Sequence, residues 1–458
     1  MKMLDSLNKI VSEFKENSRD KTVKVVSDYD TDGITAASII TRALKKEDRK
    51  FSVKIVKHLE KETLYEIKDY ARSSDIFIFL DIGSSVLGIL SEFPCEVIVL
   101  DHHQIPEEQD AGILDNLKNV RLFNPRLYNE DVSAAGLAYL FARALNEENV
   151  ESTNLAIVGM VGDMLDQSIS KVNDRILKEA KEAGEVTVKK GPLIFSATRP
   201  LNKALEFSSN FFIPGVTGSS VGAMELLRES GLKYENGRFP TLNDLTEEEL
   251  SRLITGIMLR RVNKTERHDD IIGNIYLVKF FGKLEDAREI SAMINACSRM
   301  GQAEVALMFC LENGSARSKV QDIYDSYKHE IINALKFVEN CKKVESKKYI
   351  IINAKDKIRD SIIGTIMSIV SHSFLYEEGK IIVGMAYNGE KIKVSARICG
   401  KTSSVDLGKV MSEVVKITGG ESGGHEKAAG CFISKEKEEE FIKVLSRNLD
   451  IEEIKIAI

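Results

Sequence analysis

The sequence predicts an α/β protein, with a parallel-sheet domain covered by helices on both faces and a smaller mixed α/β domain toward the C-terminal end. Three observations carry this. Apolar, β-branched runs at 22–26, 51–56, 76–80, 97–100 and 120–123 alternate with helical patterns at 34–46, 63–72, 134–146 and 153–164. Such alternation builds crossovers, and hence a parallel sheet with two covered faces. All seven prolines lie between Pro94 and Pro240 and none follows, which gives a coarse map of the chain. The stretch 346–458 changes rhythm and mixes hairpin and helix.

Taken in order, residues 1–185 form the parallel-sheet domain. From 186 to 285 the pattern loosens around Gly191-Pro192, Arg199-Pro200, Pro214-Gly215 and Asn236-Gly237, and reads as an insertion or helical extension of that domain. Residues 286–345 connect, with long helical patterns over 284–300 and 324–342. The last segment, 346–458, reads as a strand at 348–353, a helix at 359–371 and a hairpin of 381–387 with 391–398 around Asn388-Gly389. A glycine-rich loop, a strand and a helix complete it.

Composition excludes several classes. A length of 458 residues suits two or three domains, and 43% hydrophobic with 29% charged residues describes an ordinary globular protein. No apolar stretch reaches the roughly 18 residues of a membrane span. The N-terminal residues lack the apolar core of a signal peptide. Six cysteines without a Cys-x-x-Cys pairing suggest neither a zinc ribbon nor a disulfide framework, and a cytoplasmic location is expected. A net charge of −6 is wrong for a protein that coats nucleic acid through a basic face. It is compatible with local binding through metal ions.

Three acidic clusters then stand out. Asp28-Tyr29-Asp30-Thr31-Asp32-Gly33, Asp81-Ile82-Gly83 and Asp101-His102-His103 each follow an apolar run. Each therefore lies at the carboxyl edge of a parallel sheet, where ligands bind. Carboxylates gathered there repel unless cations sit between them. One Asp-x-Asp alone would be an ordinary surface turn; three at successive strand ends are a site. Oxygen donors with imidazole suit Mn²⁺ or Mg²⁺, and such a set holds two ions about 3.5–4 Å apart.

At this point the sequence resembles the DHH phosphoesterases. The resemblance lies in Asp101-His102-His103 after an apolar strand, Asp30-x-Asp32-Gly33 upstream and Asp81 between them. Gly159-Met160-Val161-Gly162-Asp163 ends an apolar helix, as a further metal-ligand motif of the family does. Gly423-Gly424-His425-Glu426-Lys427-Ala428-Ala429-Gly430 is similar to the signature of the DHH-associated domain. The resemblance implies two divalent cations, Mn²⁺ foremost and Mg²⁺ as the alternative. Asp30 and Asp32 each face one ion, Asp81 bridges both, and His102 and Asp163 complete the second. His103 contacts the scissile phosphate while Asp101 orients a neighbouring group. Many members carry a histidine where this chain has Val26, which cannot ligate a metal. Asp28 is the candidate substitute, and its other reading is a hydrogen-bond acceptor behind the ligands.

In the C-terminal domain, Gly423 and Gly424 would offer backbone N–H groups to a phosphate, with His425 and Arg397 adding charged donors. Asn295-Ala296-Cys297-Ser298-Arg299 resembles a stretch of RecJ-type nucleases, which makes Arg299 a candidate strand contact or a helix-surface arginine. Lys189-Lys190, Arg199, Lys203, Arg260-Arg261, Lys264 and Arg267 form a basic cluster, read either as a solvated face or as a guide for a strand. Within the family, the Gly-Gly-His ending disfavours pyrophosphatases, and the material near 186–285 suggests a longer substrate track. The resemblance is to archaeal RecJ-like single-strand exonucleases of the GINS-associated type. It implies metal-dependent release of mononucleotides from single-stranded DNA or RNA, in replication or repair, leaning to 5′→3′. Two alternatives stand beside it: a structural component of a replication complex that binds GINS, and a phosphodiesterase of short oligonucleotides or cyclic dinucleotides.

Overall fold

The computed structural model describes residues 2–57, 59, 61–106, 118–194, 196–208, 213–235, 237–261, 271–372, 376–400 and 405–456, with side chains to residue 450. Lys264 and Arg267 lie outside the described residues. The chain divides into two compact units, Met1–Tyr324 and Asp325–Ile458.

The first unit is built on five strands, β1 (Thr22–Asp28), β2 (Phe51–Val56), β3 (Asp75–Leu80), β4 (Glu96–Leu100) and β5 (Val120–Phe123). They lie in the order β2-β1-β3-β4-β5 and every pairing is parallel. Helices α1 (Lys2–Asn17), α2 (Thr31–Lys46), α3 (Lys61–Asp69), α4 (Leu87–Leu90), α5 (Ala134–Leu145), α6 (Thr153–Gly162) and α7 (Lys171–Glu182) belong to the same unit. On one sheet face, Val26, Phe77, Phe79, Val97 and Val99 pack with Leu64 and Ile67 of α3 and Leu87 and Leu90 of α4. On the other, Arg121 of β5 bonds Glu13 of α1, and Phe14 of α1 meets Phe141 of α5 edge-on at 5.3 Å. Apolar strands buried on both faces are what such a sheet requires.

Strand order reverses between β1 and β3, which opens a crevice at their carboxyl ends. β1 runs two residues beyond the apolar pattern, to Asp28, and α2 begins at Thr31. Only Tyr29 and Asp30 separate strand from helix. This entry is so tight that a Cβ at Gly33 would lie 2.4 Å from the Asp28 carbonyl oxygen. α6 is buried from Thr153 to Val161 and uses glycine in the same way. A Cβ at Gly159 would fall 2.4 Å from the Ala135 Cβ and 2.5 Å from Asp32 Oδ1.

The stretch read as an insertion is more ordered than its pattern suggests. β6 (Val186–Pro192), β7 (Ile272–Phe280) and β8 (Lys283–Asp286) form an antiparallel sheet. With α8 (Leu201–Glu206), α9 (Ser220–Glu229) and α10 (Glu247–Arg261) they enclose a core that includes Leu201, Leu226, Leu253, Ile275 and Leu277. The helix expected over 284–300 is shorter: Leu284 belongs to β8, Asp286 caps the next helix, and α11 runs Ala287–Arg299. After α12 (Ala303–Cys310), α13 (Gly314–Asn340) starts ten residues before the predicted 324, because Ala316, Val320 and Ile323 extend its apolar stripe backward.

The second unit holds β9 (Val344–Glu345), β10 (Tyr349–Lys355), β11 (Ile381–Asn388), β12 (Lys391–Ile398), β13 (Glu421–His425) and β14 (Ala428–Ser434) in the order β13-β14-β12-β11-β10-β9. Only β10 and β11 pair in parallel. α14 (Asp360–His372) covers Ile350, Ile352 and Ile382 on one face. α15 (Leu407–Thr418) and α16 (Glu438–Ile456) cover Ile351, Val383 and Val394 on the other. The glycine-rich segment expected to be a loop is the edge strand β13, in which Gly423 pairs with Gly430 and Gly424 with Ala429.

The contacts of Gly159 make a stability prediction. Gly159→Ala overpacks α6 against α2 and α5 and should cost about 1–3 kcal/mol in urea unfolding. Gly88→Ala adds a Cβ that meets open space within a helix, and should be neutral or stabilising by up to about 1 kcal/mol. Equal effects of the two substitutions would contradict the packing described.

Candidate metal centre

Four segments bring their polar ends together at the crevice: the β1–α2 turn, the residue after β3, the two histidines after β4, and Asp163, which caps α6. Three overlapping trios result, Asp28 with Asp30 and Asp81, Asp81 with His102 and His103, and Asp32 with His102 and Asp163. Within each trio, one ligand atom per residue lies within 4.8 Å of the others. His102 Nε2 stands 3.2 Å from Asp81 Oδ1 and 3.8 Å from Asp32 Oδ2, and its Nδ1 is 3.6 Å from Asp163 Oδ2. Asp81 leaves β3 in the left-handed region, at φ +62°, a conformation rarely adopted outside glycine.

The electrostatics divide these groups. Burial, then the charge of Asp30, pushes Asp28 up to about 8. Burial, then Asp163, raises Asp32 to about 8, although its carboxylate accepts the Ala134 and Ala135 N–H groups at the start of α5, at 2.6 and 2.9 Å. Burial and the surrounding aspartates carry Asp81 well above the carboxylate range, and burial with Asp30 raises Asp163 to about 6. Asp101 goes the other way. Burial opposes its charge, yet the hydrogen bond and positive charge of His103 and the Ser84 N–H bring it down to about 2.

The adjacent histidines are equally distinct. His103 Nδ1 lies 2.8 Å from Asp101 Oδ1, a bond that lifts His103 to about 9, and its side chain is 59% exposed. Burial, then the charge of His103, lowers His102 to about 4, so it is neutral and its nitrogens can ligate. Among the described residues, Asp81 Oδ1 and His102 Nδ1 are buried without a hydrogen bond. A carboxylate oxygen and a neutral imidazole nitrogen left in this way fit a bound divalent cation. The six cysteines are free and none belongs to a trio.

Asp28, Asp30, Asp32, Asp81, His102, His103 and Asp163 are thus together, with Asp101 directly behind His103. Arg299 is the half-buried last residue of α11. One turn earlier on that helix, Asn295 Oδ1 accepts the Thr31 N–H at 3.2 Å, and the Ser291 carbonyl accepts the Thr31 hydroxyl at 3.0 Å. Sequence reasoning singled out the arginine of this stretch and missed the asparagine that holds the β1–α2 turn. It also missed Ser84, Asn124 and Arg126. Asn124 could have been found, since it follows β5 at the same sheet edge.

In the second unit the strand register sets Arg397, Ala428 and His425 in one row, and Ser395, Gly430 and Gly423 in the next on the same face. Arg397 Nε donates to Ser368 Oγ at 3.0 Å. Gly424, at φ +133°, passes so close to Ala428 that a Cβ would lie 2.4 Å from its carbonyl oxygen. Of the basic cluster, Arg199 pairs with Glu289, Lys203 with Glu206 and Arg260 with Glu229, so much of its charge is neutralised locally. Among the described residues no helix is long and apolar enough to cross a membrane.

Comparisons with known proteins agree with this architecture. Residues 22–162 match the DHH family, N-terminal domain, residues 194–273 the DHH-CID domain, and residues 346–450 the DHHA1 domain. An uncharacterized protein of Methanocaldococcus jannaschii is 28% identical over 97% of both chains. The single-stranded-DNA-specific exonuclease RecJ of Thermus thermophilus is 30% identical over 31% of this chain, which spans 22% of that enzyme. Among solved structures, Thermus thermophilus RecJ in complex with Mn²⁺ superposes with a TM-score of 0.59 at 20% identity, covering 97% of this chain and 55% of RecJ. CDC45 from Entamoeba histolytica gives 0.67 at 12% identity over 97% of this chain and 99% of its own. Fold, acid–histidine cluster and domain matches together define a phosphoesterase of the DHH family, to which this chain belongs. It carries all three of these domains, and its fold is shared by RecJ and CDC45 structures.

The raised carboxylates predict how metal binding depends on pH. A carboxyl whose folded pKa exceeds its unfolded value favours the fold while protonated, so this contribution is lost as pH rises from about 4 toward 8. His103 has the same sign between 6.5 and about 9, whereas His102 opposes it between about 4 and 6.5. Above about pH 6.5 the metal-free protein should therefore lose stability, and Mn²⁺ should bind more tightly because it displaces those protons. Calorimetry at about pH 6.5 and pH 8 should show tighter binding and a larger Mn²⁺-induced rise in Tm at the higher pH. Affinity independent of pH would remove these carboxylates from the site.

Proposed function

We propose that this protein is a divalent-metal-dependent exonuclease that hydrolyses terminal phosphodiester bonds of single-stranded DNA to mononucleotides, in the 5′→3′ direction. One observation carries the reading: Asp81 and His102 are each shared between donor trios, and each has a buried ligand atom without a hydrogen bond. Asp28, Asp30 and Asp81 would hold one ion. Asp32, His102 and Asp163 would hold the second, with Asp81 between the two. Two such ions supply Lewis-acid activation of water and neutralise charge on the phosphoryl oxygens. Mn²⁺ is the ion we favour, with Mg²⁺ as the alternative, since RecJ structures hold either.

The remaining chemistry falls to side chains. Asp101 fixes His103 through Nδ1 and keeps it protonated, which leaves the Nε2–H of this largely exposed side chain to donate to an oxygen of the substrate phosphate. In the second unit, Arg397 and His425 and the backbone of Gly423 and Gly424 would hold a phosphate of the substrate, and Arg299 would contact the strand. Support for a nucleic-acid substrate comes from the RecJ relative, a single-strand-specific exonuclease. The three domain boundaries expected from sequence, at about 185, 285 and 345, remain our proposal for how these parts divide.

The likeness to CDC45 over the whole chain favours a second reading, a structural role in a replication complex with a GINS-type partner. A purely structural protein has no need of buried carboxylates in mutual repulsion, and this makes the catalytic reading the stronger.

The test is Mn²⁺-dependent degradation of long single-stranded DNA labelled separately at each end, with RNA and a dinucleotide as competitors. Stepwise loss from the 5′ end is expected. Asp81→Asn should reduce the rate on the order of 10³-fold or more with folding intact. Asp101→Asn disturbs only the orientation and charge of His103 and should cost about 10–100-fold. Normal turnover in Asp81→Asn would remove the catalytic assignment, and absence of cleavage with intact metal binding would favour the structural reading.

A further inference from the structure

Beyond the candidate metal ligands, one arginine is held at this site whose terminal amino groups have no partner among the described residues. β5 ends at Phe123 and is followed by Asn124, which is fully buried. Asn124 Nδ2 donates to Ser84 Oγ at 3.0 Å and to the His103 carbonyl at 2.9 Å, and its Oδ1 accepts the Arg126 N–H at 3.0 Å. Ser84 in turn gives its N–H to Asp101. One buried amide therefore ties the histidine loop, the partner of Asp101 and the backbone of Arg126 into a single frame.

Pro125–Tyr128 forms a single tight turn, closed by Asn129 at φ +55°. Its rigidity limits where the Arg126 side chain can go. Arg126 Nε donates to the His102 carbonyl at 2.6 Å, which places the guanidinium against the ligand loop. The residue is exposed, and among the described residues its Nη groups make no hydrogen bond or ion pair. Arg42, Arg121, Arg199, Arg288 and Arg317, by contrast, each reach a carboxylate. The charge of Arg126 is nonetheless felt at the site, since it helps lower His102 and partly opposes the rise of Asp163.

We infer that Arg126 is a further catalytic residue, whose Nη groups bind the non-bridging oxygens of the scissile phosphate. The inference rests on the hydrolytic reading above. A guanidinium has five N–H donors in a fixed plane, and the Nε–H is spent on His102; the two amino groups keep four, enough for a bidentate grip on phosphate. Fixed donors aimed at oxygens that gain charge in the transition state contribute more to catalysis than to ground-state binding. Asn124 is then a positioning residue, acting through the turn that carries Arg126.

The plainer role for Arg126 is to brace the histidine loop through Nε alone, and the experiment separates the two. Arg126→Ala and Arg126→Lys are assayed in the full chain with Mn²⁺ on bis(p-nitrophenyl) phosphate and on single-stranded DNA. Mn²⁺ affinity and the Mn²⁺-dependent affinity for inorganic phosphate are measured by calorimetry. Arg126→Ala should lower kcat/KM about 10²–10³-fold on both substrates. Phosphate affinity should drop about tenfold or more, Mn²⁺ affinity should stay within about twofold, and lysine should restore part of the rate as a point charge. Loss of Mn²⁺ binding in step with activity would assign Arg126 to bracing, and unchanged phosphate affinity with unchanged kcat/KM would overturn the inference. If the protein cleaves the small ester but spares DNA, the exonuclease reading fails while Arg126 is still tested. If it cleaves neither, the phosphate affinity decides.

Discussion

Mutual repulsion among buried carboxylates is the constraint around which the first unit is organised. At an effective dielectric of about 20, two charges 4 Å apart repel by about 4 kcal/mol. The fold offers partial remedies at two helix starts: Asp32 accepts two backbone N–H groups at the start of α5, and Asp30 caps α2 by accepting the Gly33 N–H. A helix terminus is worth about 0.3–1 kcal/mol, and at most about 2 when partly buried. It is too small to neutralise the cluster, and Asp32 is still pushed up to about 8. Protons or cations must supply the rest. Gly33 and Gly159 serve the same end, since each permits a backbone approach to an aspartate of the site that a side chain would block.

Environment, more than residue type, assigns the roles inside the cluster. His102 and His103 are neighbours in sequence, yet one is buried and neutral while the other is exposed and charged. Asp81 and Asp101 follow adjacent strands of the same sheet and are shifted in opposite directions. What separates them is hydrogen bonding. Asp101 is satisfied by Ser84 and His103, whereas Asp81 Oδ1 has no such donor. A group with its acceptors filled supports a neighbour, and a group left bare is suited to ligate a cation.

This contrast explains what could be read from the sequence. The strands were legible because their apolar runs stop abruptly at Asp28, Asp81 and Asp101, and the period of a doubly covered sheet leaves few other readings. Asp163 was legible from the glycines before it, since α6 is apolar and ends there. Asp32 was legible as a carboxylate but not as the cap of a helix a hundred residues away. β6 was hidden because Lys189 and Lys190 interrupt its apolar pattern, and β13 because glycine carries no strand preference. Asn124, Arg126 and Asn295 act through a few hydrogen bonds that reach distant segments, and no local pattern announces such contacts.

The insertion is best understood as part of the frame of the site. Asp286 caps α11 and accepts the Ala197 N–H, and Glu289 on the first turn of that helix binds Ser196 and Arg199. Further along the same helix, Ser291 and Asn295 hold Thr31, the residue between Asp30 and Asp32. From Asp286 to Asn295 is about 14 Å at the helical rise of about 1.5 Å per residue. A rigid element this short joins the segment that opens the insertion to the turn that aims two of the aspartates. The geometry of those aspartates is therefore set at both ends of α11, and a substitution in the insertion that shifts Ser196 or Ala197 acts on the same helix that holds Thr31.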